Sequence, residues 1–220
     1  MKTVAICLMM CYNSTTEGLR FITFMETGMS SLAAQTVFTP EEYLVSERKA
    51  TLKSEYLNGE IRSMPRVNFA HNLITVDIAT ELNIQSRGLD WEVYMSNMRV
   101  KTGPKGAYFY PDVVVVCGEP QVEDNVFDTL LNPTLVIEVL SPSTEVYDRG
   151  EKFRHYQEFT SLREYVLVSQ DRVRVEQYRL AKTQWVQTEF RAPEDVLPLP
   201  SIGCELPLRD IYRRVPEVIL

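Results

Sequence analysis

Two acidic residues stand in stretches of sequence that are otherwise apolar. Asp112 comes directly before four valines, and Glu138 lies inside the run Leu135–Leu140. Burying an unpaired charge is costly, so each carboxylate needs a partner. Strands joined by the connection 118–133 can run antiparallel, which sets the start of the first beside the end of the second. Directly opposed side chains would then lie on the order of 5 Å apart at Cβ.

Two carboxylates at so short a distance raise each other's pKa unless a cation lies between them. Mg²⁺ prefers oxygen ligands, usually takes one or two protein carboxylates, and fills its remaining positions with water and substrate phosphate oxygens. We therefore expect Asp112 and Glu138 to bind Mg²⁺ or Mn²⁺. Such a metal lowers the pKa of a bound water, polarises a phosphoryl group and neutralises charge on the leaving oxygen.

A helical pattern follows the second of these strands. Asp148, Lys152 and Tyr156 recur every four residues, which places them on one face of a helix. Lys152 is expected to orient the attacking water or to stabilise transition-state charge, with Asp148 one turn earlier holding it in place. In the alternatives, Asp112 is a turn residue after Pro111, Glu138 forms a buried salt bridge with Lys152, and Tyr156 is a core aromatic.

Several elements must position these side chains. Thr39, Pro40 and Glu42 form a capping-box pattern that predicts a helix to about Lys49. Asn58-Gly59 predicts a two-residue hairpin turn within 54–64. The spacing of apolar residues predicts a long core helix over 68–85.

Strands complete the predicted fold, which is α/β, with a mixed α+β sheet flanked by helices. The segments 113–117 and 134–140 are expected at the centre of the sheet because they are β-branched and continuously apolar. The segment 193–200 is expected to be a proline-rich bend before a short terminal helix. The other predicted strands are 91–95, 98–101, 165–168 and a hairpin of 172–180 with 185–190.

Composition limits the classes of function. The 220 residues, 45% hydrophobic, predict one domain at 38–220, with 1–37 an N-terminal extension that is disordered or not native. A net charge of −7 excludes a broad basic footprint, so any nucleic-acid contact must be local. The four cysteines lack zinc-site spacing, which favours a cytoplasmic chain with reduced thiols. The apolar run 4–10 is too short to span a bilayer, and no membrane association is expected.

The residues together resemble a known family, the Uma-type branch of the PD-(D/E)XK nuclease superfamily, or domain of unknown function 820. The combination is specific, although Pro111-Asp112 alone would not be. The matching positions span about Phe38 to Tyr212 and comprise Glu55, Gly59, Pro65, His71, Pro111-Asp112, 136–144, Asp148, Lys152, Tyr156 and Glu164-Tyr165.

This resemblance implies a restriction-endonuclease-like core, a magnesium site, hydrolysis of a DNA phosphodiester and pairing as a homodimer. In the endonuclease hypothesis the leaving group is a 3′ oxygen. One position departs from the superfamily pattern. The usual lysine stands two residues after the Glu, and here that position is Leu140. The branch is thought to move its lysine to the following helix, so Lys152 is expected to substitute.

For two further residues, His71 and Glu55, the sequence leaves two alternative roles open. His71, on a mostly apolar helix, is either a core histidine bound to a backbone carbonyl, which we favour, or a catalytic base. Glu55 is either a third acid near the metal or an exposed strand residue. The function also has an alternative, a catalytically silent interaction module that keeps the nuclease fold and binds a protein. A small-molecule phosphohydrolase is disfavoured because no GxxxxGK[ST] loop is present.

Overall fold

The computed structural model describes residues 37–103 and 106–215. The expectation for the N-terminal extension 1–37 therefore lies, except for Val37, outside the described residues, and the predicted turn at 103–106 lies partly outside them. No helix among the described residues is long and apolar enough to cross a membrane.

The first elements form as their local sequence predicts. Helix α1 begins with a complete capping box, in which Glu42 N–H donates to Thr39 Oγ1 at 3.2 Å and Thr39 N–H donates to Glu42 Oε2 at 2.8 Å. The hairpin turn uses positive φ angles at both Asn58 (51°) and Gly59 (92°), as a two-residue turn requires. Both predictions are confirmed.

Along the chain, runs of consecutive strands are separated by helices. In order they are α1 (Pro40–Glu47), β1 (Ser54–Leu57), β2 (Glu60–Ser63), α2 (Phe69–Gln85), β3 (Trp91–Met95), β4 (Arg99–Thr102), β5 (Ala107–Phe109), β6 (Val113–Cys117), β7 (Thr129–Leu130), β8 (Leu135–Leu140), α3 (Glu145–Tyr147), a π-helical turn (Asp148–Lys152), α4 (Phe153–Tyr156), β9 (Glu164–Ser169), β10 (Val175–Ala181), β11 (Gln184–Phe190), β12 (Val196–Leu199), β13 (Cys204–Pro207) and α5 (Leu208–Ile211).

A six-stranded mixed sheet forms the centre of the fold, in the order β11-β10-β9-β8-β6-β3. Strands β6 and β8 run antiparallel with Val113 opposite Ile137, which confirms the predicted pairing. The middle pair is β8 and β9, however, and β6 lies one strand from the edge. The expectation that β6 shares the sheet centre is wrong, because the helices after β8 form a crossover that returns β9 parallel to β8 on its other side.

The two faces of this sheet are covered differently. On one face, α2 packs Ile74, Ile78 and Leu82 against the odd-numbered valines of β6. On the other face, the helical segment 145–156 and a second sheet, ordered β2-β1-β5-β4-β7, bury Val114 and Val116. Strand sequences that are apolar on both faces follow from this double cover.

The C-terminal expectation needs correction. Residues 196–199 are not a bend but strand β12, paired antiparallel with β13. Leu197 and Leu199 are buried, whereas Val196 and Pro198 face outward, so burial along β12 follows a period of two. The prolines obscured it, although a strand with a single partner tolerates proline where no ladder hydrogen bond is needed. The short terminal helix that was expected afterwards is present as α5.

Candidate active site

The two acids singled out by the sequence lie side by side where β6 begins and β8 ends. The backbone N–H of Asp112 donates to Glu138 Oε2 at 3.3 Å, and the N–H of Val139 donates to Asp112 Oδ2 at 2.8 Å. The antiparallel pairing of β6 with β8 creates this contact, because the first residue before one strand faces the end of the other. The structure therefore brings Asp112 and Glu138 together.

Lys152 reaches the same place from the helical segment. Its Nζ lies 2.9 Å from Glu138 Oε1, 3.0 Å from Glu55 Oε1 and 3.7 Å from Asp148 Oδ1. The hydroxyl of Tyr156 donates to Glu138 Oε1 at 2.8 Å. The shared face of Asp148, Lys152 and Tyr156 is thus directed at Glu138, with a π-helical turn between the first and second of them. Such turns occur frequently at functional sites.

Leu140 stands two residues after Glu138, where the superfamily pattern has its lysine. The burial of Leu140 explains why the lysine of this chain comes from another element. Leu140 is 3% exposed and packs in the apolar cluster with Val136, on the face of β8 that the helical segment covers. Val136, Glu138 and Leu140 are two residues apart along the strand, so their side chains all lie on this face of β8. A lysine on the covering helix can therefore reach Glu138 while Leu140 stays in the core.

Glu55 joins the site from the second sheet. It lies in β1, is only 7% exposed and accepts a hydrogen bond from the Tyr147 hydroxyl at 3.4 Å. The alternative of an exposed strand residue is wrong for Glu55. Tyr147 was not singled out by sequence, since it lies off the four-residue spacing of Asp148 and Lys152 and carried no signal.

His71 has a different partner from the one favoured in the sequence. Its Nε2 lies 3.0 Å from Asp112 Oδ1, so a carboxylate rather than a backbone carbonyl holds the ring. The imidazole is 7% exposed, and its Nδ1 has no hydrogen-bond partner among the described residues. The favoured interpretation, a core histidine bound to a backbone carbonyl, is therefore wrong about the partner of the ring. The ring joins Asp112 to the N-terminal part of α2.

We refer to Glu55, Asp112, Glu138 and Asp148, together with Lys152, as the acid cluster. Burial raises the pKa of Glu138 to about 8; the opposing charge of Lys152 is outweighed by burial together with the like charges of Asp112 and Asp148. Burial also raises the pKa of Asp148. Burial alone would lower the pKa of Lys152, but Glu138 and Glu55 raise it well above its ordinary value. Three carboxyl groups thus lie within 3.7 Å of one ammonium, and Asp112 adds a fourth to the cavity, an arrangement that favours a further cation.

A cavity of about 60 Å³ lies among these groups. By comparable measures one water needs roughly 10–15 Å³, so the cavity has room for an ion and a few waters. Among the described residues no group of three His, Cys, Asp or Glu side chains is arranged to hold a metal. Asp112 and Glu138 both line the cavity, with the Asp112 backbone N–H bonded to the Glu138 carboxylate, and two oxygen donors supplemented by water fit the coordination habit of Mg²⁺. The lining residues are Glu55, Met64, Pro65, Val67, His71, Tyr110, Asp112, Glu138, Val139, Ser141, Thr144, Tyr147, Asp148 and Lys152.

Two proteins of Synechocystis sp. strain PCC 6803 are similar to the chain, the uncharacterized protein sll1609 and the uncharacterized protein slr1290. The first is 36% identical over 163 residues, covering 74% of this chain and 92% of the relative. The second is 37% identical over 176 residues, covering 80% of this chain and 91% of the relative.

A solved structure confirms the fold. A crystal structure from Anabaena variabilis, described as "a putative nuclease belonging to DUF820", superposes with a TM-score of 0.67 at 21% identity and covers 80% of this chain and 98% of that one. The mixed sheet with flanking helices is therefore a restriction-endonuclease-like fold, as expected. The model of the Uma2 family, described as "Putative restriction endonuclease", matches residues 40–209. Since that match includes β1, β6, β8 and the helical segment that carry the acid cluster, the chain belongs to the Uma2 family.

Proposed function

We propose that this protein is a metal-dependent endonuclease that hydrolyses DNA phosphodiester bonds at the acid cluster. The observation that carries the proposal is the convergence of Asp112, Glu138 and Lys152 on one buried cavity, from three separate segments of the chain. The family description and that of the Anabaena variabilis protein support nuclease chemistry. The placement of two carboxylates on the same cavity supports the metal.

Asp112 and Glu138 would hold Mg²⁺ or Mn²⁺, which when bound lowers the pKa of a water and polarises the phosphoryl group. Both carboxylates already accept hydrogen bonds that fix their orientation. Asp112 is held by His71 and the Val139 N–H, and Glu138 by Tyr156. His71 and Tyr156 therefore act as positioning residues, which orient ligands as outer-shell groups commonly do.

Lys152 is the group that meets the reacting atoms. Its ammonium has three N–H donors, of which Glu138 and Glu55 take two at 2.9 and 3.0 Å. The third donor is available to hold the attacking water or a phosphate oxygen beside the metal ligands. Because the side chain is 6% exposed, its charge acts in a poorly screened environment where transition-state stabilisation is strongest.

Metal binding and the charge of Glu138 are coupled. In the metal-free protein, burial raises the pKa of Glu138, which makes its carboxylate easier to protonate. A divalent cation favours the ionised carboxylate, so binding releases a proton and metal affinity rises with pH. This coupling gives a readout that does not depend on cleavage.

The test uses the purified full chain and supercoiled plasmid DNA, with Mg²⁺, Mn²⁺ or EDTA. Asp112→Asn, Glu138→Gln and Lys152→Met are expected to lower metal-dependent cleavage by at least about 100-fold, a typical loss for one electrostatic group. Glu194→Gln and Lys49→Met change exposed residues and serve as matched controls. Thermal melting verifies that each variant is folded.

Calorimetric titration with Mn²⁺ supplies the second measurement. We expect heat in the wild type that disappears in Asp112→Asn and Glu138→Gln. Cleavage that persists at the wild-type level in Glu138→Gln and Lys152→Met would overturn the mechanism. If the wild type shows neither heat nor a thermal shift with metal and leaves the plasmid uncut, the chain is an interaction module instead.

A further inference from the structure

The cavity of the acid cluster continues into a larger groove. This groove has a volume of about 400 Å³, and it shares Met64, Pro65, Val67, His71 and Asp112 with the smaller cavity. Its other lining residues come from the segment before β1, from the end of β2, the first turn of α2 and the loop between them, and from the turn after β3; they are Thr51, Leu52, Lys53, Ser63, Arg66, Asn72 and Ser96. A substrate bound to Asp112 would therefore extend into it.

The charge of the groove is opposite to that of the cavity. Asp112 is the one acid among the groove's described lining residues, whereas Lys53 and Arg66 are both cationic. Arg66 is exposed and has no carboxylate within ion-pair distance among the described residues, although most arginines of the chain have one. In a protein of net charge −7, two cations beside the acid cluster form a local anion-binding surface. Phosphates next to the scissile one are the anions this surface fits.

The outer end of the groove is apolar. Phe69, the first residue of α2, is 90% exposed, Leu52 is 78% exposed and Val67 is 50% exposed. Phe69 and Val67, with Asn68 and Asn72, line an adjoining space of about 480 Å³. An aromatic ring this exposed contributes little to the core, but it offers a flat face on which a base can stack.

The acid cluster itself is recessed. The side chains of Glu138 and Lys152 are 4% and 6% exposed, and the cavity between them and the groove is small. A scissile phosphate must enter this recess while its neighbours lie along the groove. A flexible strand can turn its backbone to do so, whereas the backbone of a regular duplex is held at a fixed curvature.

We propose that the groove binds a nucleic-acid strand with unpaired bases, with Lys53 and Arg66 contacting phosphates and Phe69 stacking on a base. This proposal rests on the proposed nuclease function and names its substrate class as single-stranded DNA or single-strand segments of branched or frayed DNA. Charge complementarity favours a polyanion over a second copy of this chain, because in a self-complementary interface Lys53 and Arg66 of one copy would face the same two cations of the other.

Binding is measured by fluorescence anisotropy with the full chain in EDTA, so that no cleavage occurs. The probes are one labelled oligonucleotide as a single strand, the same sequence as a blunt duplex, and the duplex with a single-stranded overhang. We expect the single strand and the overhang to bind at least about tenfold more tightly than the blunt duplex. Phe69→Ala should remove roughly ten- to hundredfold of the single-strand affinity, the usual loss for one stacking residue.

Arg66→Ala should weaken binding to all sequences and lower the slope of log affinity against log salt by about 0.7, the value for one phosphate contact on a single strand. The matched controls lie at the other end of α2, where Ile84 is 47% exposed and Arg87 is exposed. Ile84→Ala and Arg87→Ala should leave affinity and salt slope unchanged.

Equal binding of single strand and blunt duplex, or an unchanged affinity in Phe69→Ala, would overturn the proposal. Failure to bind any probe at low salt, combined with a dimer in sedimentation that Phe69→Ala dissociates, would assign the surface to a second copy instead and overturn it too. Binding as expected but without metal-dependent cleavage would support the groove while refuting the nuclease mechanism. The two proposals can thus fail separately.

Discussion

The acid cluster and a second group of charges, the arginine cluster of Arg48, Arg99, Asp124 and Asp128, each contain one nearly buried cation, Lys152 or Arg99, but their charges are balanced differently. In the arginine cluster, two guanidinium groups face two carboxylates, and Arg48 binds Asp128 through two nitrogens, each at 2.9 Å. Hydrogen bonds from Arg48 lower the pKa of both Asp124 and Asp128. In the acid cluster, carboxylates outnumber the one ammonium, and the pKa of Glu138 is raised to about 8.

The difference separates two uses of charge within one fold. A balanced cluster holds segments together, here the end of α1, the start of β4 and the loop before β7. A cluster with more carboxylates than cations opposes folding until a further cation binds. Groups with pKa values perturbed in this way are concentrated at functional sites.

The largest effect on stability is expected from Lys152→Met. Removing the one ammonium leaves Glu138, Glu55 and Asp148 buried without a cation, and breaking a buried ion pair in this way costs about 3–5 kcal/mol. Urea denaturation of the metal-free protein at pH 8 measures the loss. Lys101→Met, which breaks a partly exposed pair with Glu123, is the control and should cost below about 1 kcal/mol. Similar losses in the two variants would contradict the contrast.

Arg99→Met should destabilise the protein by a smaller amount, about 2–3 kcal/mol. Arg99 is 3% exposed, but Asp128 is 27% exposed and keeps Arg48 as a partner, so the full penalty for a stranded charge does not apply. Cleavage per folded molecule should be unchanged, because the arginine cluster does not line the cavity of the acid cluster. A reduced cleavage rate in folded Arg99→Met would mean that the two clusters are coupled.

The pH dependence of stability should differ between the clusters. An acid whose folded pKa is about 8, against an ordinary 4.5, binds more protons in the folded state, so its contribution to stability is present at low pH and lost as pH rises. Between pH 6 and 8 the metal-free protein should lose about 2 kcal/mol at 1.36 kcal/mol per pKa unit. The carboxylates of the arginine cluster have lowered pKa values and contribute no slope in this window.

Two changes should flatten that slope. Glu138→Gln removes the titrating group, and saturating Mg²⁺ holds Glu138 ionised in the folded state. Denaturation curves at pH 6, 7 and 8 with and without metal provide the measurement. If the slope persists in Glu138→Gln, it arises from another titrating group, such as Asp148, whose pKa is also raised.

Tyr156→Phe should have the smallest effect, about 1 kcal/mol of stability, since it deletes one hydrogen bond of 2.8 Å to Glu138 in an otherwise unchanged core. The loss of that donor should also raise the pH at which metal-dependent cleavage reaches half its maximum, which a merely structural role would not do. Tyr165→Phe is the matched control because its hydroxyl donates to the backbone carbonyl of Asp148 and not to Glu138.

Much of the fold could be predicted because the signals are local. The capping box at Thr39, the Asn58-Gly59 turn and the apolar spacing of α2 each depend on residues within one element. The hairpin of β12 and β13 was missed since Pro198 hides an alternating pattern. The place of β6 in the sheet was misjudged because strand order depends on where a crossover returns. The expected homodimer stays a prediction.

The sequence by itself determined that Glu138 lies in a buried strand with Asp112 nearby, and that Lys152 shares a helical face with Asp148 and Tyr156. Both conclusions follow from fixed periods, two along a strand and about four along a helix. Only the tertiary structure decided that Glu55 binds Lys152 and that His71 holds Asp112, across 97 and 41 residues of chain. No periodicity relates such positions, so a pairing between distant charges becomes visible only where two sheets and a helix meet.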